Sequence, residues 1–218
     1  MTDRRLAQGE ETRRRIADAA LVAAAVDGLE GVTVGGLART LGMSKAGVFA
    51  HFGSKEALQV AVVEHALERV QGRLFGPISE LPPGVPRLRA FLHAYLADIA
   101  DEETPGGCFF TAAGSEFDRR PGAVRDRLAG IQRSWYAFAA GDLRASQRAR
   151  SGSADEGPPD ADQVAFEVVA LAQAASLAYQ LLGAPEVLDR ARHAVDRRLD
   201  AIEQRHAAAG SAPADPAA

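Results

Sequence analysis

The sequence predicts an all-α protein of about nine helices, divided into a small N-terminal part and a larger body. Three observations support this class. Apolar residues recur at spacings of three and four in every periodic segment. No segment alternates apolar and polar residues over the length of a strand. The apolar content, 47% of 218 residues, consists mainly of Ala, Leu and Val, with only 6% aromatic residues, which favours helix over strand.

Four helices are expected in the first third of the chain. The first covers residues 11–27 and ends at Gly28, and Thr33 is placed to cap a short second helix. Ser44 and Ser54 are of the residue type that caps helices, and they mark the starts of the third and fourth helices. The apolar face of the first helix would contain Ile16, Ala19, Ala23 and Val26.

Five further helices are expected after a loop rich in Pro and Gly at residues 76–86. Their approximate extents are 85–99, 108–117, 121 to at least 138, 162–182 and 186–206. Residues 151–162 contain few apolar side chains and are expected to form a mobile loop. The tail, residues 207–218, is expected to be disordered.

Composition and charge exclude several classes of protein. A single cysteine cannot form an intrachain disulfide and fits a reducing cytoplasm. The N-terminus lacks the apolar segment of a secretory signal, and no run of about 20 apolar residues predicts a membrane span. The net charge is −4, but residues 1–55 carry +2 and the remainder −6. A mildly basic end on an acidic body would orient towards a polyanion.

Residues 33–52 have the spacing of a helix-turn-helix unit. Ala38 is small enough for the two helices of the unit to pack closely, and Gly42 can adopt the positive φ that the turn requires. The side chains expected inside are Leu37, Leu41, Val48 and Phe52. Such a unit places its second helix in the major groove of DNA. The alternative interpretation of this pattern is an αα-hairpin within a helical core.

The second helix of this unit has small outward-facing residues apart from Lys45. Small residues such as Ala46 and Gly47 would let the helix backbone approach the base edges of DNA. Lys45 can reach guanine O6 and N7, whereas His51 and Lys55 can reach flanking phosphates. Phosphate contacts position a protein on DNA, and base contacts specify the sequence.

The stretch TVGGLARTLGMSKAGVFAHFGSKEAL, residues 33–58, resembles the DNA-binding domain of the TetR family of bacterial transcriptional repressors. The family pattern runs from a helix-starting Thr through Leu-Gly-x-Ser to aromatic-x-His-Phe and Ser-Lys-Glu-Ala-Leu. The resemblance covers roughly residues 10–60. It implies a DNA-binding domain at residues 1–55 and a regulatory, dimeric domain at 56–206. It implies DNA contacts from Thr33, Ser44, Lys45, Ala46, Gly47, Phe49, His51 and Lys55.

Two features depart from the family pattern. Phe49 occupies a position where the family often has Tyr, so a hydroxyl that would contact a phosphate is missing. Gly35 and Gly36 lie in the second helix, where each costs roughly 1 kcal/mol relative to Ala. We therefore expect this helix to be pliable before DNA binds.

The helix expected at residues 162–182 is apolar on nearly all sides. Such a helix must be buried, either at the centre of a monomer or between two subunits. The favoured arrangement is a two-fold four-helix bundle of this helix, the next helix and their copies. The predicted interface residues are Val164, Val168, Leu171, Ala175, Ala178, Leu182, Leu188, Val195 and Leu199. The opposite side of the helix at residues 162–182 carries Ala170, Ala174, Leu177 and Leu181.

Large residues in the middle helices are candidates for an effector pocket. Ligand pockets are mostly apolar with a few placed polar groups, so the composition favours an apolar or aromatic effector. The alternative is that these residues fill the core. The candidates are His93, Tyr95, Phe109, Phe110, Glu116, Phe117, Trp135 and Tyr136.

Enzymatic, redox and metal-binding classes have little support in the sequence. Cys108 follows two glycines at a helix start, where a thiol can be activated, but an inert buried cysteine is the ordinary alternative. The five histidines show no pairing at helical spacing, so no metal or cofactor is expected. No nucleotide loop, nucleophile elbow or paired-carboxylate motif is present.

Together with the resemblance, these features predict a cytoplasmic, homodimeric repressor that binds a palindromic operator and is released by a small molecule. The first alternative is a DNA-binding regulator without an effector. The second is a helical enzyme or carrier with no role in DNA binding. Salt-dependent retention on DNA separates the second alternative from the others, and effector-induced release separates the first.

Overall fold

The computed structural model describes residues 2–101, 106–151 and 160–209, which contain nine α-helices and no strand. The helices are α1 (Thr2–Gly31), α2 (Val34–Leu41), α3 (Lys45–Phe52), α4 (Lys55–Val70), α5 (Val85–Ile99), α6 (Phe109–Phe117), α7 (Ala123–Ser151), α8 (Ala161–Leu182) and α9 (Glu186–Ala209). A π-helical turn, Gln71–Phe75, follows α4 directly. The expected mobile loop and disordered tail fall mainly outside the described residues.

The all-α class is confirmed, and α1 differs most from the sequence expectation. It begins at Thr2 rather than near residue 11, and Gly28 (φ 73°, ψ 162°) interrupts it before a last turn that ends at Gly31. The expected apolar face is wrong at Val26, which is 82% exposed. The buried side consists of Ile16, Ala17, Ala20 and Ala24. In an Ala-rich helix several stripes are similarly apolar, so the sequence does not select the buried one.

One compact unit comprises residues 1–73 and 101–131. Within it, α1 packs against α4 and α6, and α2 packs against α3. Its most deeply buried side chains include Ile16, Leu29, Val48, Leu58, Val62 and Val63. This packing stabilises the eight-residue α3, which would be marginal as an isolated helix. This division by packing differs from the predicted division by function, which places a DNA-binding domain at residues 1–55 and a regulatory domain at 56–206. The division by function stays a prediction.

The second compact unit comprises residues 74–100 and 132–218. Here α5 packs against α8 and α9, which also pack against each other. An aromatic cluster joins α5 to α7, with ring centroids of Phe91 and Phe138 5.0 Å apart and Phe75 within 5.1 Å of both. Because α5 covers one side of α8 and α9, it determines which of their faces stay exposed.

Most of the predicted dimer-interface residues are buried within the single chain. Six of the nine are at most 5% exposed: Val164, Val168, Ala175, Leu188, Val195 and Leu199. Leu171 and Leu182 are exposed, and Ala178 is partly exposed. Little of the first six side chains is therefore open to a partner, and the interface role of all nine residues stays a prediction. A helix that is apolar on all sides does not show which of its stripes the rest of its own chain will cover.

The exposed side of α8 is apolar as well. Phe166 is 55% exposed, Leu177 62% and Leu181 79%. By length and composition α8 could also cross a membrane, with a mean hydropathy of 1.4, although the sequence analysis expected no such run. A core helix of a soluble protein passes the same test, and α8 packs on α5 and α9. Exposed apolar surface of this kind marks a contact site.

Candidate nucleic-acid interface

The turn between α2 and α3 has the predicted geometry. Gly42 has φ 65°, in the left-handed region, and the Met43 N–H donates to the Ala38 carbonyl at 2.9 Å. Ser44 then caps α3, because its Oγ accepts the Gly47 N–H at 3.0 Å. All of these contacts join residues close in sequence, so the residue types alone were enough to predict them.

Thr33 and Ser54 cap α2 and α4 as expected. Thr33 Oγ1 accepts the Gly36 N–H at 3.0 Å, and Ser54 Oγ accepts the Ala57 N–H at 3.0 Å. A hydroxyl that accepts an N–H bond still has its own O–H to donate. Thr33 and Ser44 are both exposed. Each therefore combines a helix N-terminus with a hydroxyl donor, which suits contact with a phosphate.

The outer side of α3 consists of small side chains, one cation and one aromatic ring. Val48 is fully buried, whereas Lys45 and Ala46 are exposed. Phe49 is 51% exposed, so its ring does not pack into the core beside Val48. Because the other side chains on this surface are small, the α3 backbone can come close to the base edges in a DNA groove.

Gly35 has a packing role that the sequence did not reveal. A Cβ added at Gly35 would lie 3.2 Å from Lys45 Cε and 3.6 Å from its Nζ. The Lys45 side chain therefore passes over the first turn of α2, in space that Gly35 leaves open. A side chain at residue 35 would require the Lys45 side chain to move by a few tenths of an ångström.

Lys55 is engaged within the protein. Its Nζ donates to the Glu30 carbonyl at 2.7 Å and to Glu30 Oε1 at 2.9 Å. The Lys55 and Gln59 hydrogen bonds lower the pKa of the Glu30 carboxyl. Both Lys55 and Glu30 are more than 40% exposed, so a phosphate can compete for the ammonium. The expected phosphate contact of Lys55 stays a prediction.

Arg13 is a further residue of this surface, and no pattern in the sequence pointed to it. Its guanidinium donates to the His51 carbonyl and lies 4.6 Å from the centre of the Phe52 ring. A cation at the last turn of α3 also complements the helix dipole. Arg13 thus connects α1 to the C-terminal end of α3, the predicted recognition helix. Arg13 lies 38 residues before His51, so no short sequence pattern could predict this contact.

Two polar effector candidates have partners within the protein. His93 Nε2 lies 2.9 Å from Asp196 Oδ1, and Asp196 also accepts a bond from Arg89 at 2.8 Å. Burial raises the pKa of Asp196, but the bonds from Arg89 and His93 outweigh it and leave that pKa lowered. Glu116 accepts two backbone N–H groups of α1. Neither side chain needs an effector to satisfy it.

The aromatic effector candidates divide between the two compact units. Tyr95, Phe110, Phe117 and Trp135 are each at most 8% exposed. Phe109 packs edge-on against Phe110 at 5.3 Å, and Tyr136 lies 6.1 Å from Phe166. These contacts suit a core as well as a pocket lining, and the effector role of the residues stays a prediction.

Within the described residues, no group of three or more His, Cys, Asp or Glu side chains is placed to hold a metal ion. Cys108 is half-buried at the position before α6. The surface around α3 has the chemical features of a DNA-binding surface. These are capped helix N-termini, cationic side chains and a helix with small outward-facing side chains. Fold and surface together define a helix-turn-helix protein that binds DNA.

Two family models match the chain. The model described as "Bacterial regulatory proteins, tetR family" matches residues 16–62, and the model described as "Tetracyclin repressor-like, C-terminal domain" matches residues 84–195. The second alone spans just over half of the chain. The protein belongs to the TetR family and is a DNA-binding transcriptional regulator. The predicted resemblance is confirmed.

Solved structures share the fold at low sequence identity. A TetR transcriptional regulator from Chloroflexus aurantiacus J-10-FL is 23% identical, with a TM-score of 0.79 over 90% of this chain and 96% of that chain. Reduced NemR from E. coli is 21% identical, with a TM-score of 0.71 over 86% and 96%. AibR, solved with isovaleryl coenzyme A and operator DNA, is 18% identical, with a TM-score of 0.63 over 83% and 96%. No curated protein sequence matches the chain.

The two lysines of the interface should behave differently. Lys45→Ala should relax sequence preference and cost about 1–3 kcal/mol of operator affinity if the ammonium contacts a base. Lys55→Ala should weaken binding to unrelated sequences as well as to the operator and reduce the salt slope by about one unit, because it removes a phosphate contact. The two variants serve as controls for each other in binding titrations at several salt concentrations. Unchanged operator preference in Lys45→Ala would exclude that residue from base recognition.

Phe49→Tyr should strengthen binding to specific and non-specific DNA alike. The exposed ring places a new hydroxyl on the outer side of α3, where it can donate to a phosphate. A hydrogen bond to a charged acceptor is worth roughly 1.5–3 kcal/mol at best, and less where water competes. Melting temperature and DNA affinity are measured on the same variant. A loss of stability with unchanged affinity would mean that the hydroxyl is buried and that residue 49 does not face DNA.

Proposed function

We propose that the protein is a homodimeric repressor whose binding to a palindromic operator is relieved by a small apolar or aromatic effector. The observation that carries the dimer is the exposed apolar side of α8. Its members are Phe166, Ala170, Leu171, Ala174, Leu177, Leu181 and Leu182. Leaving such a continuous stripe in water is unfavourable by about 25 cal/mol per Å². A second copy of the chain is the occupant that fits it.

The shape of this surface supports a two-fold contact. A shallow depression of about 750 Å³ lies between α8 and α9, with Ala170, Ala174 and Ala194 among the residues that line it. Alanines let a partner helix approach closely, and the larger Phe166 and Leu177 flank them on α8. Arg198 pairs with Glu167 at the edge, which gives the apolar patch a charged rim. An isologous contact of this kind pairs each stripe with its own copy.

A two-fold dimer would explain how the short α3 reads an extended site. Two copies of the DNA-binding unit, taken as residues 1–55, would contact two half-sites of a palindrome. The regulatory part, taken as residues 56–206, would hold them at the correct spacing. An effector releases DNA only if it binds more tightly to a conformation with the wrong spacing.

The proposal of an effector rests on a relative and on the aromatic residues. AibR, which shares the fold, was solved with both isovaleryl coenzyme A and operator DNA. In this chain the candidates Phe109, Phe110 and Phe117 lie on α6, Tyr95 lies on α5, and Trp135 and Tyr136 lie on α7. We further propose that the protein acts in the cytoplasm and has no catalytic activity, since TetR regulators are generally not enzymes.

Release from DNA tests this function directly. The purified chain is bound to the DNA upstream of its own gene and titrated with a panel of apolar, aromatic and highly charged compounds. The proposal expects salt-dependent, sequence-specific binding that one of the uncharged compounds abolishes, and higher transcription from that DNA when the protein is absent. Specific binding that no compound changes would replace the proposal by a regulator without an effector. Transcription that falls in its absence would make it an activator.

A further inference from the structure

The last turn of α1 is held by a carboxylate from α6. At Gly28 the backbone leaves the helical conformation, and a new helical turn starts at Leu29. The N–H groups at such a start have no partner within the helix. Glu116 Oε2 accepts the Leu29 N–H and Glu116 Oε1 accepts the Glu30 N–H, both at 2.8 Å. Glu116 therefore caps this turn from 86 residues away in sequence.

The same turn is held from its other side by α4. Gln59, only 4% exposed, donates to the Leu29 carbonyl at 3.2 Å and to Glu30 Oε2 at 3.0 Å. Lys55 donates to the Glu30 carbonyl and side chain. The turn is thus fixed between α4 and α6, and Leu29 within it is 1% exposed.

The helix-turn-helix unit starts immediately after this turn. Gly31 is the last residue of α1, and α2 begins at Val34 after its cap Thr33. Val32, between them, is 2% exposed. Because only two residues separate the helices and the side chain of Val32 is buried, a change in the direction of the turn passes directly to α2 and α3.

We propose that Glu116 is a positioning residue for DNA binding, which fixes the path of the chain into the helix-turn-helix unit by capping the last turn of α1. The capping requires a carboxylate, because each oxygen accepts one N–H bond. A glutamine would present one oxygen and one NH₂ group to two donors, so one bond would be lost. Gly28 is required for the same capping contact. A Cβ there would lie 3.0 Å from Glu116 Oε1, and a φ of 73° is strained for any other residue.

Three variants of the 218-residue chain test this role. Glu116→Gln removes half of the cap, and Asp118→Asn makes the same charge change at an exposed position just after α6. Leu128→Ala shrinks a buried α7 side chain of the same compact unit, and it controls for lost stability at a residue that makes no hydrogen bond to the capped turn. Each variant is titrated against a duplex selected by the native protein from a random library and against an unrelated duplex, well below its melting temperature. Amide hydrogen exchange is followed at Leu29 and Glu30.

The proposal expects Glu116→Gln to lower affinity for the selected duplex by about tenfold or more, the size of effect that one lost charge-assisted bond can give. Affinity for the unrelated duplex should change little, because its phosphate contacts tolerate small shifts of α3. Exchange at residues 29 and 30 should rise. Leu128→Ala and Asp118→Asn should keep native affinity and native exchange there.

Equal affinity of Glu116→Gln and Leu128→Ala for the selected duplex would overturn the proposal, since the cap would then contribute to stability only. Faster exchange at residues 29 and 30 with native affinity would overturn it as well. If Glu116→Gln does not fold, Glu116→Asp takes its place. Its shorter carboxylate keeps the charge but reaches at most one of the two N–H groups, so it should show the same losses in smaller size.

Discussion

Replacing Leu177 with Glu is expected to convert the protein to monomers and to abolish specific DNA binding. Leu177 is 62% exposed on the apolar stripe of α8, so the single chain accommodates the change without loss of its core. In a two-fold contact the substitution removes two buried leucines, each worth about 1.5–3 kcal/mol. It also places two carboxylates in an apolar interface, where an unpaired buried charge costs several kcal/mol more. Sedimentation at micromolar concentration measures the result.

A matched control separates dimerisation from general damage. Val22 is 59% exposed on α1, away from α8 in sequence and in a different compact unit. Val22→Glu makes a similar apolar-to-acidic change and should leave the protein dimeric. Operator affinity of Leu177→Glu should fall by more than about 100-fold, because a monomer presents only one reading helix. A Leu177→Glu protein that stays dimeric would rule out this face of α8 as the interface.

Arg87→Ala is expected to destabilise the fold strongly. Asp142 is fully buried in α7, and Arg87 of α5 donates to both of its carboxylate oxygens. The bond to Asp142 outweighs the effect of burial and raises the pKa of the Arg87 guanidinium. Removing the cation leaves a buried carboxylate without its charge partner, which typically costs about 3–5 kcal/mol. At about 2–4 °C per kcal/mol, Tm should fall by roughly 10 °C.

An exposed pair of the same type provides the comparison. Arg144 pairs with Asp162, with side chains 44% and 67% exposed. Surface pairs contribute about 0–1 kcal/mol, so Arg144→Ala should shift Tm by no more than a few degrees. The double variant Arg87→Leu with Asp142→Leu should recover most of the stability, because it removes both charges. Similar Tm losses for Arg87→Ala and Arg144→Ala would contradict the buried-pair account.

The features that could be predicted from the sequence are those set by neighbouring residues. Thr33, Ser44 and Ser54 cap their helices because a hydroxyl three residues before an N–H can reach it. Gly42 adopts positive φ because the turn between two packed helices requires it. The position and outward surface of α3 follow from the same local pattern, which is why the family resemblance was visible in so short a stretch.

The remaining features depend on contacts between distant parts of the chain. The face of α8 that is buried depends on where α5 packs, and an all-apolar helix carries no sign of that choice. Glu116 was expected near an effector, but its carboxylate caps a turn 86 residues away. Arg13 likewise holds the end of α3 across 38 residues. The sequence shows that charged side chains such as Glu116 and Arg13 need partners. Only the tertiary fold determines which partners they contact.

Selection of DNA from a random duplex library by the native protein tests the central claim most directly. A two-fold dimer with one reading helix in each subunit should enrich a palindrome, with half-sites separated by about one helical turn or a multiple of it. Leu177→Glu should fail to enrich it under the same conditions. Enrichment of a single half-site bound by one chain, or no enrichment above background, would contradict the account of a dimeric DNA-reading regulator.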